Sequence, residues 1–501
     1  MKRKKFLLEK IEVTGYAAEG KSLARKDGKV YFIEGAVPGD VVDVFISTNK
    51  KDFGEGKATR FYELSKERTT PFCMHFGTCG GCKWQMLPYP KQLEYKQQEV
   101  IQNFRRIGKV ELPLMMPITG SDDTVYYRNK LEFTFSNKRY LTAEEIKTLP
   151  MPGVVPQPAP GELAGLVDDT TVESINTNAA ATPERNGALG YHVPRIFDKI
   201  IDIQECFLMD PVNNLVRNRI RDFALANNYS FYDIKQHTGW LRNIIIRYCT
   251  TGELMINICL GYKDDVETPR LMDHILEQVP GITTLLYTIN TKWNDSIYDL
   301  SPVVYYGKGF VIEKLEGYSF KIGPKSFFQT NTKQAEKLYS ITRDFAGLTG
   351  NEIVYDLYCG TGSIGIFLSK LAKKIVGVEV ISEAIEDAKI NATLNNIDHA
   401  AFFAGDVIKI CDDAFFAAHG KPDVIITDPP RAGMHEKLVN KLLDIAAPKI
   451  VYVSCNTATQ ARDLALLSAR YTVDKIQPVD MFPHTHHIEC VVLLKLADPL
   501  P

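Results

Sequence analysis

Apolar and polar residues alternate along much of the first 65 positions. Four stretches show the pattern, separated by Gly-rich or Pro-Gly turns, and they are residues 6–13, 29–33, 40–47 and 56–64. A period of two is typical of strands with one buried face. Short strands at this spacing predict a small β-barrel over residues 1–65.

Two motifs in this front part resemble those of the TRAM domain, an OB-like RNA-binding module. The first runs from Gly15 to Gly20 and continues as Lys21-Ser22-Leu23-Ala24-Arg25, and the second is Val37-Pro38-Gly39-Asp40. The resemblance implies that residues 1–65 form an RNA-binding β-barrel.

The middle of the chain, residues 66–325, mixes helical and strand patterns. Residues 90–107 have the period of an amphipathic helix with Pro90 in its first turn. Strand-like stretches follow at residues 127–135, 240–248 and 254–260, which predicts a mixed α/β region. Residues 141–187 are rich in Pro, Ala, Thr and Asn without apolar periodicity, so they predict a long surface loop inserted in this region.

Regular β-α alternation begins at residue 352 and predicts a doubly wound parallel sheet. The candidate strands are residues 353–357, 374–380, 401–404, 423–427, 449–454, 472–479 and 489–494. Only residues 480–488 separate the last two strands, which is too short for a crossover helix, so the seventh strand should be antiparallel. Seven strands with a reversed last one resemble the class I, Rossmann-like methyltransferase fold, which we assign to residues 326–501.

A glycine-rich turn follows the first of these strands and opens a helix. It contains Gly360, Gly362 and Gly365, and Glu379 ends the next strand. A nicotinamide-binding fingerprint has the same features, because glycines let the backbone approach the ligand and an acid can hold the ribose hydroxyls. Asp356 favours S-adenosylmethionine, since a carboxylate just before the glycines can meet the charged amino end of a methyl donor.

The fourth strand ends in a segment that a dehydrogenase has no reason to carry, Asp428-Pro429-Pro430-Arg431. It places an acid at the carboxyl end of a central strand, where open α/β sheets bind ligands, and two prolines stiffen the loop. DNA and RNA amino-methyltransferases have a similar loop whose fourth residue is an aromatic that stacks on the base. Arg431 at that position argues against this class.

Cys455 and Glu489 fit methylation at a carbon atom. Uracil carbon 5 is a poor nucleophile, so a thiolate must first add to carbon 6, and a base must later remove the carbon 5 proton. Cys455 lies at the end of the fifth strand and Glu489 just before the last, at the same ligand-binding edge. A structural core cysteine is the alternative, and the edge position favours a nucleophile. His484, His486 and His487 precede Glu489 without partners at metal-ligand spacing, which predicts a polar loop.

Three closely spaced cysteines indicate a metal or cluster site. They are Cys73, Cys79 and Cys82, and Cys206 could return as a fourth ligand. Four thiolates can hold zinc or an iron-sulfur cluster, and their spacing does not decide between the two. A TRAM-bearing radical enzyme is a further alternative, but its Cys-x3-Cys-x2-Cys motif is absent from this sequence.

Composition limits the class of protein but does not indicate what the protein binds. The chain has 501 residues, enough for two to four domains, and its ten cysteines are spread too widely for a disulfide scaffold, which predicts a reducing, cytoplasmic location. Its formal net charge of -2 does not by itself indicate nucleic-acid binding. No apolar run has the length of a membrane span, so neither a membrane nor secretion is expected.

Taken together, these motifs resemble the RNA uridine-5-methyltransferase family of the RumA and TrmA type across nearly the whole chain, including Gln329 within Lys325-Ser-Phe-Phe-Gln-Thr-Asn331. The resemblance implies that Cys455 is the nucleophile and Glu489 the base. The predicted cofactor-binding residues are Gln329, Tyr358, Glu379, Asp428, Asp356, Gly360, Gly362 and Asp406. The chain departs from the family pattern in the 141–187 insertion and at Thr457, where a proline often follows the Ser-Cys-Asn triplet.

The ribosomal-RNA branch of that family, unlike the transfer-RNA branch, carries a [4Fe-4S] cluster at matching cysteines. The resemblance therefore implies a [4Fe-4S] cluster on Cys73, Cys79, Cys82 and Cys206, and 23S rRNA as the substrate, with tRNA as the alternative. Residues 128–130 and Arg242 are predicted RNA contacts. A non-catalytic RNA-binding or RNA-folding protein is the competing class, and a full cofactor loop with both catalytic side chains argues against it. No protein partner is inferred, so we expect a monomer.

Overall fold

The computed structural model describes residues 5–109, 111–113, 115–148 and 187–497. They form three large sheets and one separate hairpin. The sheets follow one another along the chain. The candidate active site lies on the third.

The first sheet covers the alternating front part of the chain. Its strands are β1 (Phe6–Glu12), β2 (Gly15–Tyr16), β3 (Ser22–Lys26), β4 (Lys29–Glu34), β5 (Val41–Asn49) and β6 (Phe53–Glu63). Their order is β1-β5-β6-β4-β3-β2. Val42, Val44 and Ile46 on β5 are fully buried, as a period of two requires. The four predicted strands are confirmed, and β2 and β3 are additional.

Helix α1 (Tyr89–Asn103) follows the cysteine-rich segment, and one turn of π-helix (Phe104–Gly108) extends it. The predicted helix over residues 90–107 is thus confirmed. Its buried residues include Gln92, Lys96 and Val100. Two of these are polar, so this helix does not pack through an apolar stripe alone.

The second sheet lies in the middle of the chain, where the sequence predicts a mixed α/β region, and it combines antiparallel and parallel strand pairs. Its strands are β7 (Lys130–Ser136), β8 (Ala188–Val193), β9 (Ile196–Asp202), β10 (Leu241–Tyr248), β11 (Leu254–Leu260), β12 (Ile282–Ile289) and β13 (Val303–Gly307). Its helices are α2 (Ala143–Thr148), α3 (Val212–Ala226) and α4 (Glu267–Gln278). Helix α2 lies at the start of the predicted 141–187 loop, and residues 149–186 of that loop lie outside the described residues.

A hairpin and a helix connect the second sheet to the third. The hairpin consists of β14 (Val311–Leu315) and β15 (Tyr318–Ile322), and the helix is α5 (Thr332–Ala346). Their apolar residues share one buried core with the third sheet. This core contains Phe320 of the hairpin and Leu338 of the helix together with Val354 and Val451 of the sheet. The hairpin therefore packs with the sheet that follows it in the chain.

The third sheet has the predicted seven strands: β16 (Ile353–Leu357), β17 (Lys374–Glu379), β18 (Ala400–Ala404), β19 (Val424–Thr427), β20 (Lys449–Ser454), β21 (Tyr471–Val479) and β22 (Glu489–Leu496). Its helices are α6 (Ser363–Leu368), α7 (Ser382–Leu394), α8 (Val407–Ile410), α9 (Asp413–His419), α10 (Glu436–Ile445) and α11 (Thr457–Leu467). The strand order is β18-β17-β16-β19-β20-β22-β21. Strand β22 is antiparallel to both of its neighbours, which confirms the predicted reversal.

The order reverses between β16 and β19, because the chain first builds outward to β18 and then returns to the other side of β16. Ligands of open α/β sheets bind at such a switch point, at the carboxyl ends of the strands. Within the described ranges, no helix combines the length and apolar character needed to cross a membrane.

Candidate active site

The glycine loop after β16 has the backbone conformation of a ligand cradle. Tyr358, Gly360 and Gly362 have φ angles of 61°, 53° and 76°. A Cβ on Gly362 would lie 3.0 Å from the ring of Phe402, so glycine is required there for space as well as for conformation. Tyr358 tolerates the left-handed region without being glycine, a strain that is common at functional sites.

Asp356 lies beneath this loop with one oxygen bonded and one free. Its Oδ2 accepts a hydrogen bond of 2.9 Å from the backbone N–H of Gly365, while its buried Oδ1 has no hydrogen-bond partner. The pKa of Asp356 is raised to about 7, chiefly by burial and to a smaller extent by the charges of Asp428 and Glu379. An unpaired buried carboxylate oxygen is costly, so this position favours a cationic ligand group.

The acid at the end of β17 is held by the same loop. Glu379 accepts hydrogen bonds from the backbone N–H of Gly360 at 3.3 Å and of Ile381 at 3.1 Å. Tyr358 lies close enough to feel the charges of Asp406 and Glu379, although burial is the main cause of its raised pKa. Asp406 itself caps α8 by accepting a hydrogen bond of 2.9 Å from the N–H of Ile408.

Gln329 is fixed through its backbone just before α5. Its carbonyl accepts a hydrogen bond of 3.0 Å from the side chain of Asn129, which also donates to the hydroxyl of Thr332 at 2.8 Å. The loop that carries Gln329 is thereby attached to the second sheet.

Cys455 and Glu489 lie at the same edge, where the sequence placed them. Cys455 follows β20 and precedes Asn456, whose side chain caps α11 by accepting a hydrogen bond of 3.1 Å from the N–H of Ala458. Burial raises the pKa of the Cys455 thiol to about 11, and the charges of Glu489 and Asp428 act in the same direction. Burial also raises the pKa of Glu489 well above its usual range, with a further contribution from Asp428.

Asp428 joins the two halves of the site. Its charge acts on Asp356 in the cofactor loop and on both Cys455 and Glu489. Burial raises the pKa of Asp428 to about 7. The loop after β19 is therefore shared between the predicted cofactor-binding and catalytic residues.

Arg431 is a member of the site to which the sequence assigned no role. Its guanidinium lowers the pKa of the Cys455 thiol, and its charge also lowers the pKa of Glu489. Its carbonyl accepts hydrogen bonds from Asn456 at 3.0 Å and from Thr459 at 3.2 Å, and its guanidinium bonds to His487. The Asp-Pro-Pro-Arg segment was the available signal, since it follows a central strand.

Tyr339 on α5 was also missed. Its buried hydroxyl lies 3.0 Å from that of Ser363, and its pKa responds to the charges of Asp428, Asp356 and Glu489, although burial is the larger cause. An aromatic residue at helical spacing predicts core packing, so the sequence held no specific signal for this position.

One cavity is lined by all four cysteines that were predicted to hold the cluster, which are Cys73, Cys79, Cys82 and Cys206. Burial raises the pKa of Cys79 and of Cys82 to about 12. The buried guanidinium of Arg217 acts in the opposite direction on Cys206 and donates to the carbonyls of Ile203 and Gln204, both at 2.9 Å. A buried cation therefore lies beside a cavity lined by potential thiolates.

This arrangement does not confirm the predicted iron-sulfur site. Among residues 5–109, 111–113, 115–148 and 187–497, no three His, Cys, Asp or Glu side chains are arranged to hold a metal ion. What the structure shows is the shared cavity.

Arg242 was predicted to contact RNA, and that prediction is wrong. Its side chain is 1% exposed, and its guanidinium donates to the carbonyls of Asn290 and Asn294 at 2.7 and 3.0 Å and to Asp295 at 2.9 Å. A basic residue within a strand pattern can serve as an internal clamp, and the sequence pattern did not distinguish the two roles.

Comparison with known proteins identifies close relatives of the whole chain. The model of the tRNA (uracil-5-)-methyltransferase family matches residues 307–497. An uncharacterized RNA methyltransferase from Bacteroides thetaiotaomicron is 50% identical over 483 residues, which cover 96% of this chain and 100% of that protein. One from Porphyromonas gingivalis is 47% identical over 489 residues, 97% of this chain and 99% of that protein.

A solved structure resembles the complete fold. It is the Pyrococcus abyssi tRNA (uracil-54, C5)-methyltransferase in complex with S-adenosyl-L-homocysteine, with a TM-score of 0.69 and 25% sequence identity. The alignment covers 97% of this chain and 100% of that structure. The similarity thus extends over all three sheets.

Proposed function

The chain belongs to the RNA uracil-5-methyltransferase family, and from that membership we propose that it methylates carbon 5 of a uridine in RNA with Cys455 as the nucleophile and Glu489 as the base. The observation that carries the proposal is the common charge environment of Cys455, Glu489 and Asp428 beside the glycine loop. Methylation of uracil carbon 5 by thiolate addition requires both a thiol and a base near one methyl donor.

S-adenosylmethionine fits the residues of the loop. The free Oδ1 of Asp356 offers an anionic acceptor to a cationic amino group, and the open space at Gly360 leaves room for close approach. Glu379 lies where an acid can accept hydrogen bonds from ribose hydroxyls. Gln329, Tyr358, Asp406 and Asp428 complete the proposed binding set. When bound, this cofactor supplies the electrophilic methyl group.

The chain's own residues divide the remaining chemistry. The thiolate of Cys455 adds to carbon 6 of the uracil ring, where the positive charge of Arg431 stabilises it. This addition makes carbon 5 nucleophilic, so that carbon 5 can take the methyl group, whose bond to the sulfonium sulfur of the donor would break as the new carbon–carbon bond forms and leave the donor as a thioether. Glu489 then removes the carbon 5 proton, the bond between carbon 6 and sulfur breaks, and the thiolate of Cys455 is regenerated.

The raised pKa of Glu489 suits this role. A carboxylate whose pKa lies well above its usual range is a stronger base than an exposed glutamate. Burial in a site that excludes water is the main physical cause. The same environment keeps the Cys455 thiol protonated at neutral pH, so Arg431 is needed to stabilise the thiolate.

We also propose that Cys73, Cys79, Cys82 and Cys206 hold a [4Fe-4S] cluster. The shared cavity and the buried cation at Arg217 support this proposal, because a guanidinium offsets the negative charge of several thiolates. Such a cluster would tie residues 73–82 to the segment between β9 and α3 that contains Cys206. We assign it no step in methyl transfer.

The proposed substrate is 23S rRNA, because the branch of the family that carries such a cluster is the ribosomal-RNA branch. A tRNA substrate is the second candidate, because the family model and the Pyrococcus abyssi enzyme are both named for tRNA. The first sheet, in its resemblance to the TRAM domain, is the proposed RNA-binding barrel. We further propose a cytoplasmic monomer.

Mass-spectrometric mapping of 5-methyluridine tests the function. RNA from cells that lack the gene should lose 5-methyluridine at one or more positions of 23S rRNA, and the wild-type gene should restore it. A gene carrying Cys455→Ala should not restore it. Loss confined to tRNA would select the second substrate, and an unchanged map would favour a non-catalytic RNA-binding protein.

A further inference from the structure

One polar face of helix α1 runs between the two catalytic segments. Gln92, Lys96 and Asn103 are four and seven residues apart, a spacing that places side chains on one side of an α-helix. From Gln92 to Asn103 the helix rises about 16 Å. The polar side chains at its two ends contact different parts of the third sheet.

The first end holds the loop that leads to Glu489. The Gln92 side chain accepts a hydrogen bond of 2.8 Å from the backbone N–H of His484, and its amide nitrogen lies 3.1 Å from the His484 ring. The same nitrogen donates to the carbonyls of Trp84 and Leu87 at 3.1 and 2.9 Å. Gln92 thus fixes the backbone of the loop between β21 and β22.

Lys96 holds the start of the same loop. Its ammonium donates to Asp480 Oδ1 at 2.6 Å and to the carbonyl of Phe482 at 3.2 Å, and both members of the ion pair are fully buried. Tyr89 donates to the other oxygen of Asp480 at 2.9 Å. Both charges are paired and hydrogen-bonded, the condition under which a buried ion pair can persist.

The loop between these anchors is strained. His484 has a φ of 63° although it is not glycine, and its carbonyl accepts hydrogen bonds from the N–H groups of Lys83 and Trp84 at 2.9 and 3.0 Å. Such a conformation persists only where surrounding contacts determine it. Gln92 supplies two of those contacts to His484. His484 lies five residues before Glu489, the proposed base.

The other end of the helix contacts the segment that carries the nucleophile. Asn103 donates a hydrogen bond of 2.8 Å to the hydroxyl of Thr457, the first residue of α11 and the second after Cys455. Next to it, Phe104 is fully buried in the core that contains Ala461 and Leu464 of α11. Asn103 thus anchors the turn on which Cys455 lies.

We propose that helix α1 is a positioning element that sets the separation of Cys455 and Glu489, through Gln92 and Lys96 on the base side and through Asn103 on the nucleophile side. The proposal rests on the function proposed above. Its consequence is that the two ends of the helix serve different steps. Gln92 and Lys96 serve proton removal and release of the cysteine, whereas Asn103 serves the addition of the thiolate.

Two measurements separate these steps. Adduct formation is followed with 23S rRNA transcribed with 5-fluorouridine, in which the covalent bond cannot be released. Release is followed with unmodified 23S rRNA and methyl-labelled S-adenosylmethionine, as the fraction of methylated RNA that remains attached to protein on a denaturing gel. Gln92→Leu should raise that fraction at least threefold and leave the rate of adduct formation within twofold of wild type. Asn103→Leu should slow adduct formation at least threefold without raising the fraction.

Gln98→Leu is the matched control, because Gln98 lies on the exposed side of the same helix. It should leave both quantities unchanged. If helix α1 only stabilised the fold, Gln92→Leu and Asn103→Leu would each lower the amount of active protein. The fraction of methylated RNA attached to protein would then equal that of wild type, and this result would overturn the proposal. If Gln92→Leu fails to fold, Gln92→Met, which keeps the length of the side chain and loses both the acceptor and the donor for His484, should still raise the fraction. A wild type that forms no adduct would instead overturn the proposed function itself, and this assignment with it.

Discussion

Gly365 donates its backbone N–H to only one of the two carboxylate oxygens of Asp356, at 2.9 Å, and leaves the other oxygen buried without a hydrogen-bond partner. A Cβ at Gly365 would lie 3.1 Å from the bonded oxygen, so the close approach of helix and strand depends on this glycine. The free oxygen points to a ligand that supplies positive charge. It gives the cofactor proposal its most direct test.

Asp356→Asn should weaken binding of S-adenosylhomocysteine, because the neutral amide cannot pair with the ligand's amino group. Loss of a buried charged contact costs about 2 kcal/mol or more, which is roughly a 30-fold rise in Kd. Isothermal calorimetry measures it, with the exposed Asp344→Asn as the control. Binding of NADH without binding of S-adenosylhomocysteine would instead support a dehydrogenase.

The same contact makes cofactor binding depend on pH. The pKa of Asp356 is raised to about 7, chiefly by burial, so its carboxyl group becomes protonated as the pH falls below neutrality. A cationic ligand binds the ionised form, and its affinity should therefore decrease from pH 8 to pH 6. Calorimetry at three pH values checks the direction. The Asp356→Asn variant should lose part of this dependence.

Arg431→Gln should slow alkylation of Cys455 by iodoacetamide. Burial raises the pKa of this thiol to about 11 and Arg431 opposes the shift, so removal of the guanidinium leaves less thiolate at any pH. We expect a rate at pH 8 that is lower by about three- to tenfold, read from the mass of the peptide that contains Cys455. Arg270→Gln, on an exposed surface, is the control. Equal rates of Cys455 alkylation in Arg431→Gln and Arg270→Gln would show that Arg431 does not stabilise the thiolate.

Sequence patterns predicted the third sheet almost residue by residue. The strands at Ile353–Leu357 and Lys449–Ser454 contain the apolar runs 353–355 and 450–453, because buried parallel strands are nearly continuously apolar. Cys455 and Glu489 could be placed at one edge because strand ends follow from the topology. The β-α alternation therefore predicted that the two proposed catalytic residues lie at one edge of the sheet.

Long-range polar contacts could not be predicted in this way. Gln92 and His484 are 392 residues apart, and nothing in a polar side chain on a helix specifies its partner. The sequence predicts that Arg242 is a cation on the surface. Its side chain is buried instead, and three backbone carbonyls and Asp295 accept hydrogen bonds from its guanidinium. Such contacts depend on how separate elements pack, whereas periodicity reports only which side of one element is buried.

Anaerobically purified protein should contain about four irons and matching acid-labile sulfide per chain. Cys82→Ala should lose most of that iron, because it removes one of the four proposed ligands in the shared cavity. Cys249→Ala is the matched control, since Cys249 is buried in a different core. One tightly held zinc without sulfide would contradict the cluster and favour a zinc site.

Glu489→Gln should stabilise the ligand-free protein, and more so at higher pH. Burial and Asp428 raise the pKa of Glu489 in the folded state, so its contribution to stability is complete below its unfolded pKa and is lost as the pH rises toward the folded value. The difference between variant and wild type should widen by up to about 1.4 kcal/mol per pH unit in that window. Chemical denaturation at pH 5, 6.5 and 8 measures it. A constant difference would mean that the carboxyl is not perturbed.

The division of labour between Cys455 and Glu489 predicts that their variants fail in different ways. Cys455→Ala should transfer no methyl group and form no covalent complex, because nothing else activates carbon 5. Glu489→Gln should still methylate but retain the RNA, because the carbon 5 proton stays in place and the sulfur cannot leave. Denaturing gels should show the Glu489→Gln protein attached to methylated RNA, and wild type should be trapped likewise by 5-fluorouridine RNA. Cys490→Ala is the control, because that buried cysteine follows Glu489 directly. If Cys455→Ala turned over normally, or attached to fluorinated RNA as wild type does, another residue would be the nucleophile.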